Sequence, residues 1–242
     1  MIKDDKVIVT YLKHSGFLVE LEQAYLLFDY FQGVIPSLAK NKELFVFASH
    51  AHHDHYNPEI FQLQTLQNQV TYILSSDIDV ASVNQERIVI KQVAPYESLR
   101  IHGFEIQTFK STDEGVAFLV TTPQGMRIYH AGDLNWWHWK GESETYNQDM
   151  AMKYQHEIDL LTKSSHGVID LAFVPVDPRL EEYAVYGLEY LKKEIVLKYV
   201  IPMHFWERYD ELEKMLDIPE MANIYKRVIF YDKCGEVLKL GE

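Results

Sequence analysis

The segment Phe47–Pro58, FASHAHHDHYNP, holds four of the chain's eleven histidines: His50, His52, His53 and His55, with Asp54 among them. His50 and His52 are two apart, so in an extended segment both side chains point to the same side and can share one ion. Asp54 and His55 follow as the chain turns, which lets them face a second ion. Neutral imidazoles with a carboxylate suit zinc, and iron or manganese are compatible as well. A surface loop that merely happens to be rich in histidine is the competing account. It explains a lone histidine better than it explains this spacing.

The flanks say what must hold the cluster in place. LFVFA (Leu44–Ala48) is a continuous apolar run, as in a strand buried on both faces. After the cluster, Asn57 can cap a helix, with Pro58 at its first position, where the missing N–H costs nothing. The histidines therefore belong to a loop between a buried strand and a helix, a favoured place for function in layered α/β folds.

Elsewhere the first third reads as strands: KVIVTYL, FLVELE and AYLLFDY. VTYIL, RIVIK, SLRI, FEIQTF, VAFLVTT and MRIYHA continue the pattern, joined by short turns. Past about residue 146 helices appear. Met150, Tyr154, Ile158 and Leu161 are spaced for one helical face, and Leu180, Ala184, Leu188, Leu191 and Ile195 for another. DLAFVPV and KYVIPMH are buried strands, a helix is expected near Glu207–Leu216, and a final hairpin is expected around FYDKCGEV.

Composition narrows the function classes. With 242 residues, 47% of them hydrophobic, residues 1–242 are expected to form one domain, or a domain of two similar halves. The net charge of −13 argues against a general nucleic-acid binder. No run of about 18 apolar residues predicts a membrane span, and the start, MIKDDKVIVTYL, does not read as a signal peptide. A single cysteine, Cys234, fits a reducing cytoplasm.

HAHHDH resembles the His-x-His-x-Asp-His motif of the metallo-β-lactamase superfamily, and other pieces follow in order. LLFDY supplies Asp29, resembling an early aspartate that supports the site. YHAGDLNWW supplies Asp133, resembling the aspartate that bridges two metals. VIPMHFW supplies His204, resembling the late histidine that completes the second metal's shell. The resemblance implies an α/β fold, a four-layer αββα sandwich with metals at one edge of the two sheets. YLKHSGFLVELEQAYLLFDYF and IYHAGDLNWWHW are most similar to the metal-dependent hydrolase branch that includes the ascorbate-6-phosphate lactonases.

One departure stands out. The family has a further histidine between the first cluster and Asp133, yet no histidine occurs here between His102 and His130. Asp113, in FKSTDEGVAFLV, is the best replacement by position, since an Asp oxygen binds zinc at nearly the distance of an imidazole nitrogen. The alternative is a weakened first site, with one ion held by Asp54, His55, Asp133 and His204.

The expected metal ligands are thus His50, His52, Asp54, His55, Asp113, Asp133 and His204, for one or two divalent ions: zinc, or manganese or iron. The implied activity is hydrolysis of a small ester, lactone or phosphodiester by metal-activated hydroxide. Asp54 would orient the hydroxide, and His14 would line the site and protonate the leaving group. Trp136, Arg179 and Trp206 are the candidate substrate contacts. The alternative is a non-catalytic metal-binding or ligand-sensing protein with a degenerate first site.

Overall fold

In the computed structural model, which describes residues 7–65, 67, 69–84 and 88–241, the first apolar runs fold as an antiparallel meander. It comprises β1 (Val7–Lys13), β2 (Gly16–Glu20) and β3 (Ala24–Phe28). The chain then switches to parallel pairing. β4 (Glu43–Ala48) lies beside β3, β5 (Val70–Ser75) beside β4 and β6 (Val89–Val93) beside β5. β3, β4 and β5 are buried along nearly their whole length, which is why they read as continuous apolar runs.

The 3-10 turn Pro58–Thr65 covers this sheet with Ile60, Phe61 and Leu63, which pack with Leu44, Val46, Tyr72 and Leu74. Asn57 caps it as expected, its Oδ1 accepting from the Glu59 N–H at 2.9 Å. The segment is 3-10 rather than α-helical.

A second meander consists of β7 (Ser98–Ile101), β8 (Phe104–Lys110), β9 (Val116–Thr121) and β10 (Arg127–His130). β11 (Val168–Pro175) and β12 (Val196–Met203) extend it in parallel. Helix α1 (Glu144–Ser164) links β10 to β11, starting at Ser143, whose Oγ accepts from the Tyr146 N–H. It buries Met150, Tyr154, Ile158 and Leu161, the face expected from their spacing. Helix α2 (Tyr186–Glu194) links β11 to β12, and α3 (Tyr209–Leu216) and α4 (Ala222–Tyr225) follow.

The result is an α/β fold of two mixed sheets flanked by helices, divided into two compact units. One unit runs through Ala94 and takes in the segment from Tyr231 onward; the other is Pro95–Phe230. Each follows the same plan, antiparallel strands first and parallel strands after.

Two expectations need correction. The final hairpin does not form among the described residues: the turn at Lys233–Glu236 leads into β13 (Val237–Leu240), which pairs antiparallel with β1. The single helix expected from Leu180 to Ile195 is two pieces, a 3-10 turn Pro178–Tyr183 and then α2. Glu181, at φ 54° and ψ −126°, breaks the run. All five apolar residues are still buried, because the periodicity records burial and not continuity of the backbone. Among the described residues, no helix is long and apolar enough to cross a membrane.

Candidate metal centre

Parallel pairing of β3 with β4 places their C-terminal ends side by side, with Phe28 opposite Phe47. The residues just beyond are therefore neighbours. The Asp29 N–H donates to the Phe47 carbonyl at 2.9 Å. The Ser49 N–H donates to Asp29 Oδ1 and the Ser49 hydroxyl to Asp29 Oδ2, both at 2.7 Å. Asp29 is fully buried and takes a left-handed φ of 41°, a conformation that costs an ordinary residue about 1 kcal/mol or more.

This carboxylate orders two imidazoles. His55 Nδ1 donates to Asp29 Oδ2 at 2.8 Å. His50 Nδ1 lies 2.9 Å from Ser49 Oγ, whose own proton goes to Asp29, so the ring nitrogen is the donor. Both rings are assigned the tautomer with the proton on Nδ1 and the lone pair on Nε2, the form that ligates a metal.

Between them the chain reverses, with the His55 and Tyr56 N–H groups donating to the His52 carbonyl at 3.0 Å. The rings of His52 and His55 both lie against His50, at centroid distances of 4.5 and 4.3 Å. His53 is exposed. His14, in the β1–β2 turn at φ 56°, is buried, and its Nε2 is 3.6 Å from Asp54 Oδ2. His14, Asp54 and His55 each offer a ligand atom within 4.8 Å of one another.

The second unit assembles its own set by the same logic. β10, β11 and β12 run parallel, so Asp133, Asp177 and His204 gather beyond their C-terminal ends. His204 Nε2 is 3.4 Å from Asp133 Oδ1. Its Nδ1 donates to Asp177 Oδ2 at 2.9 Å, again leaving the lone pair on Nε2. Burial pushes the Asp177 carboxyl up, but hydrogen bonds from His204 and Arg179 outweigh it and hold its pKa near about 2.

The β8–β9 loop comes to the same edge, because the start of β9 lies beside the end of β10. A carboxylate oxygen of Asp113 lies within 4.8 Å of one of Asp133. Thr112 joins the two loops: its hydroxyl donates to the Asn135 carbonyl at 2.6 Å and accepts from the Asn135 N–H at 3.0 Å.

Aromatic residues surround this second set. Trp137 Nε1 donates to the Asp133 carbonyl at 2.9 Å, and its ring centroid is 5.4 Å from that of His204. Arg179 Nε bonds both oxygens of Asp177, at 3.0 and 2.9 Å. Its guanidinium lies over Trp206 and Trp139, at 4.9 and 5.6 Å. Trp136 instead packs toward α1 and α2, its ring near Tyr154, Tyr186 and Tyr190. His130 Nδ1 accepts from the Gly132 N–H at 3.2 Å, shaping the turn into Asp133.

Three of these roles escape a reading by motif: Ser49 as relay to His50, Asp177 as partner of His204, and Trp137 as donor to the Asp133 backbone. The available signal was position alone, since Asp177 follows a buried strand that pairs with two others ending in site residues.

Residues 8–149 match the family described as the β-lactamase superfamily domain. The chain belongs to the metallo-β-lactamase superfamily. Solved metallo-β-lactamase-fold and related structures resemble it over nearly their whole length. Igni18, a metallo hydrolase from Ignicoccus hospitalis, is 15% identical with a TM-score of 0.66, covering 98% of this chain and 99% of that one. YhfI, a metallo-β-lactamase fold protein from Bacillus subtilis, is 16% identical with a TM-score of 0.62, covering 98% and 100%. Isothiocyanate hydrolase from Delia radicum gut bacteria is 12% identical with a TM-score of 0.58, covering 96% and 98%. At such identities the likeness is one of fold. None of the curated proteins matches the chain in sequence.

The superfamily implies divalent metals, and the donor sets of this metallo-β-lactamase-like chain fit them. His50 and His55 in the first unit and His204 in the second present Nε2 atoms whose Nδ1 protons are committed to a buried carboxylate or to the serine it anchors, with the carboxylates of Asp54 and Asp133 close by.

Proposed function

We propose that residues 1–242 act as one metal-dependent hydrolase domain. In this reading His50, His52, Asp54, His55, Asp113, Asp133 and His204 hold one or two divalent ions, zinc in the first place, with manganese or iron as alternatives. The observation that carries it is the pair of Nδ1 locks, Asp29 on His55 and Asp177 on His204. A buried carboxylate that fixes an imidazole with Nε2 outward is how metal-binding histidines are supported.

A divalent ion held there supplies Lewis acidity, polarising the scissile bond and making water more acidic. The protein's own groups do the rest. Asp54 accepts a hydrogen bond from the attacking water and aims it. His14, with Nε2 3.6 Å from Asp54, carries a proton to the leaving oxygen. Arg179 keeps Asp177 ionised and, with the half-exposed Trp206 face beneath it, presents a cation to an anionic substrate.

Small esters, lactones and phosphodiesters are the proposed substrates. Lactones and phosphorylated lactones come first, because the Tyr11–Phe31 and Ile128–Trp139 segments resemble the ascorbate-6-phosphate lactonase branch. The single cysteine, Cys234, exposed here, fits a cytoplasmic setting without disulfides.

The test is metal content by elemental analysis, together with turnover on an ester, lactone and phosphodiester panel, for wild type and Asp54→Ala. Metal-dependent turnover that Asp54→Ala abolishes supports the proposal. One tightly held ion with no turnover across the panel would instead favour a ligand-sensing protein.

A further inference from the structure

Residues 29–42, between β3 and β4, form a strap tied down along its length. Tyr30, Ile35 and Leu38 turn inward onto the core cluster of Leu12, Tyr25 and Leu44. The Tyr30 hydroxyl donates to the Gly33 carbonyl at 3.0 Å, and Asn57 Nδ2 donates to the Phe31 carbonyl at 2.8 Å. The Ala39 N–H donates to the Tyr25 hydroxyl at 3.1 Å. Gly33, at φ 111°, passes so close to β1 that a Cβ there would meet the Leu12 carbonyl oxygen at 3.0 Å.

This anchoring sets one apolar ring beside His14, which follows Leu12 by two residues. Phe31 is half-buried and meets the His14 ring edge to face, at 6.3 Å and 89°. His55 and Asp54 approach His14 as well, at a ring distance of 5.4 Å and an Nε2–Oδ2 distance of 3.6 Å. Both of these offer ligand atoms to the donor set, and Phe31 offers none. What Phe31 contributes is apolar surface, part of it open to solvent, next to the imidazole assigned to move a proton.

We propose that Phe31 is the wall against which the leaving group rests, and that it selects substrates whose leaving oxygen carries an apolar chain, γ-alkyl lactones among them. The proposal rests on the hydrolase reading, in which His14 protonates that oxygen. A proton passes over hydrogen-bond distance, roughly 2.6–3.2 Å between heavy atoms, so the leaving oxygen sits against the His14 ring. When a lactone opens, its acyl C–O bond breaks, and the ring oxygen takes the proton and becomes an alcohol. The substituent on the carbon bearing that oxygen stays with it, within reach of Phe31. A substituent beside the carbonyl lies on the other side of the broken bond.

The experiment measures kcat/KM of metal-loaded, full-length protein on γ-valerolactone, on γ-octalactone and on the α-butyl isomer of the latter. The γ-butyl lactone is expected to exceed the γ-methyl one about tenfold, somewhat over twofold per methylene, against roughly fourfold for complete burial. The same chain on the α-carbon is expected to gain little. Phe31→Ala should flatten the γ series, and Phe31→Leu, which keeps an apolar side chain, should restore most of it. A second readout needs no turnover: calorimetry with 2-butyltetrahydrofuran and 2-methyltetrahydrofuran, which have the ring and chain but no carbonyl to attack. The butyl ether is expected to bind wild type about tenfold more tightly than the methyl ether, and Phe31→Ala to erase the difference. Turnover with no preference for γ-butyl over γ-methyl or α-butyl overturns the proposal and leaves the hydrolase reading standing. Ether binding that depends on Phe31, with no lactone turned over, counts for the apolar wall and against the hydrolase reading. Ethers that bind alike overturn the wall itself.

Discussion

His55 Nδ1 lies 2.8 Å from Asp29 Oδ2, with neither side chain exposed to solvent. The same carboxylate also takes the Ser49 hydroxyl and N–H, and through Ser49 it orients His50. One residue at the end of β3 thus sets two imidazoles that follow β4. The arrangement needs β3 and β4 parallel and in register, and it needs the left-handed backbone of Asp29.

Asp29→Asn keeps the volume but replaces one of the two oxygens that served three donors with an amide N–H group. Metal affinity is expected to fall by about 10–100-fold, the usual cost of losing a supporting partner. Ser49→Ala, which disturbs only His50, should cost less. Chelator competition measures both, and unchanged affinity in Asp29→Asn would remove Asp29 from the site.

Asp113→Ala distinguishes two accounts of the missing histidine. If Asp113 is a ligand, metal per chain falls from two to one by elemental analysis. If wild type and variant both hold one, Asp113 is not a ligand. Thr112→Val should act in the same direction more weakly, because it removes the two hydrogen bonds joining the Asp113 and Asp133 loops.

Asp177→Ala strips the partner from His204 and from Arg179 at once. Breaking a buried pair in this way costs roughly 3–5 kcal/mol, so a lower unfolding temperature and weaker metal retention are expected together. Arg179→Gln is the contrast. It leaves the buried Asp177 carboxylate with His204 but without its cation, so some stability is lost as well, while KM rises for anionic substrates and not for neutral ones.

Gly187→Ala would set a Cβ 2.2 Å from Asn135 Oδ1 and 3.4 Å from the Trp136 nitrogen. Asn135 is two residues from Asp133 and tied to Thr112, so the strain passes into the Asp133 loop. Overpacking of this kind costs about 1–3 kcal/mol. Thermal unfolding should show the loss, and chelator competition should show weaker metal binding. A variant as stable as wild type would mean that Asn135 moves aside freely.

Much was legible from local pattern. Continuous apolar runs gave β3, β4, β5 and β11, and the spacing of Met150, Tyr154, Ile158 and Leu161 gave α1, because burial on a strand or a helical face leaves a short-range period. The crowding of His50, His52, Asp54 and His55 announced metal chemistry in the same local way. What stayed hidden was every choice of distant partner. β13 joins β1 across the length of the chain, where a local reading saw a hairpin. Asp113 approaches Asp133 only because β9 and β10 pair, and Asp177 meets His204 only because β11 and β12 run parallel. The sequence by itself determined the donor types and the strands that carry them. Tertiary structure alone decided which carboxylate holds which imidazole, since a hydrogen bond between residues 26 or 27 positions apart leaves no period in the sequence to read.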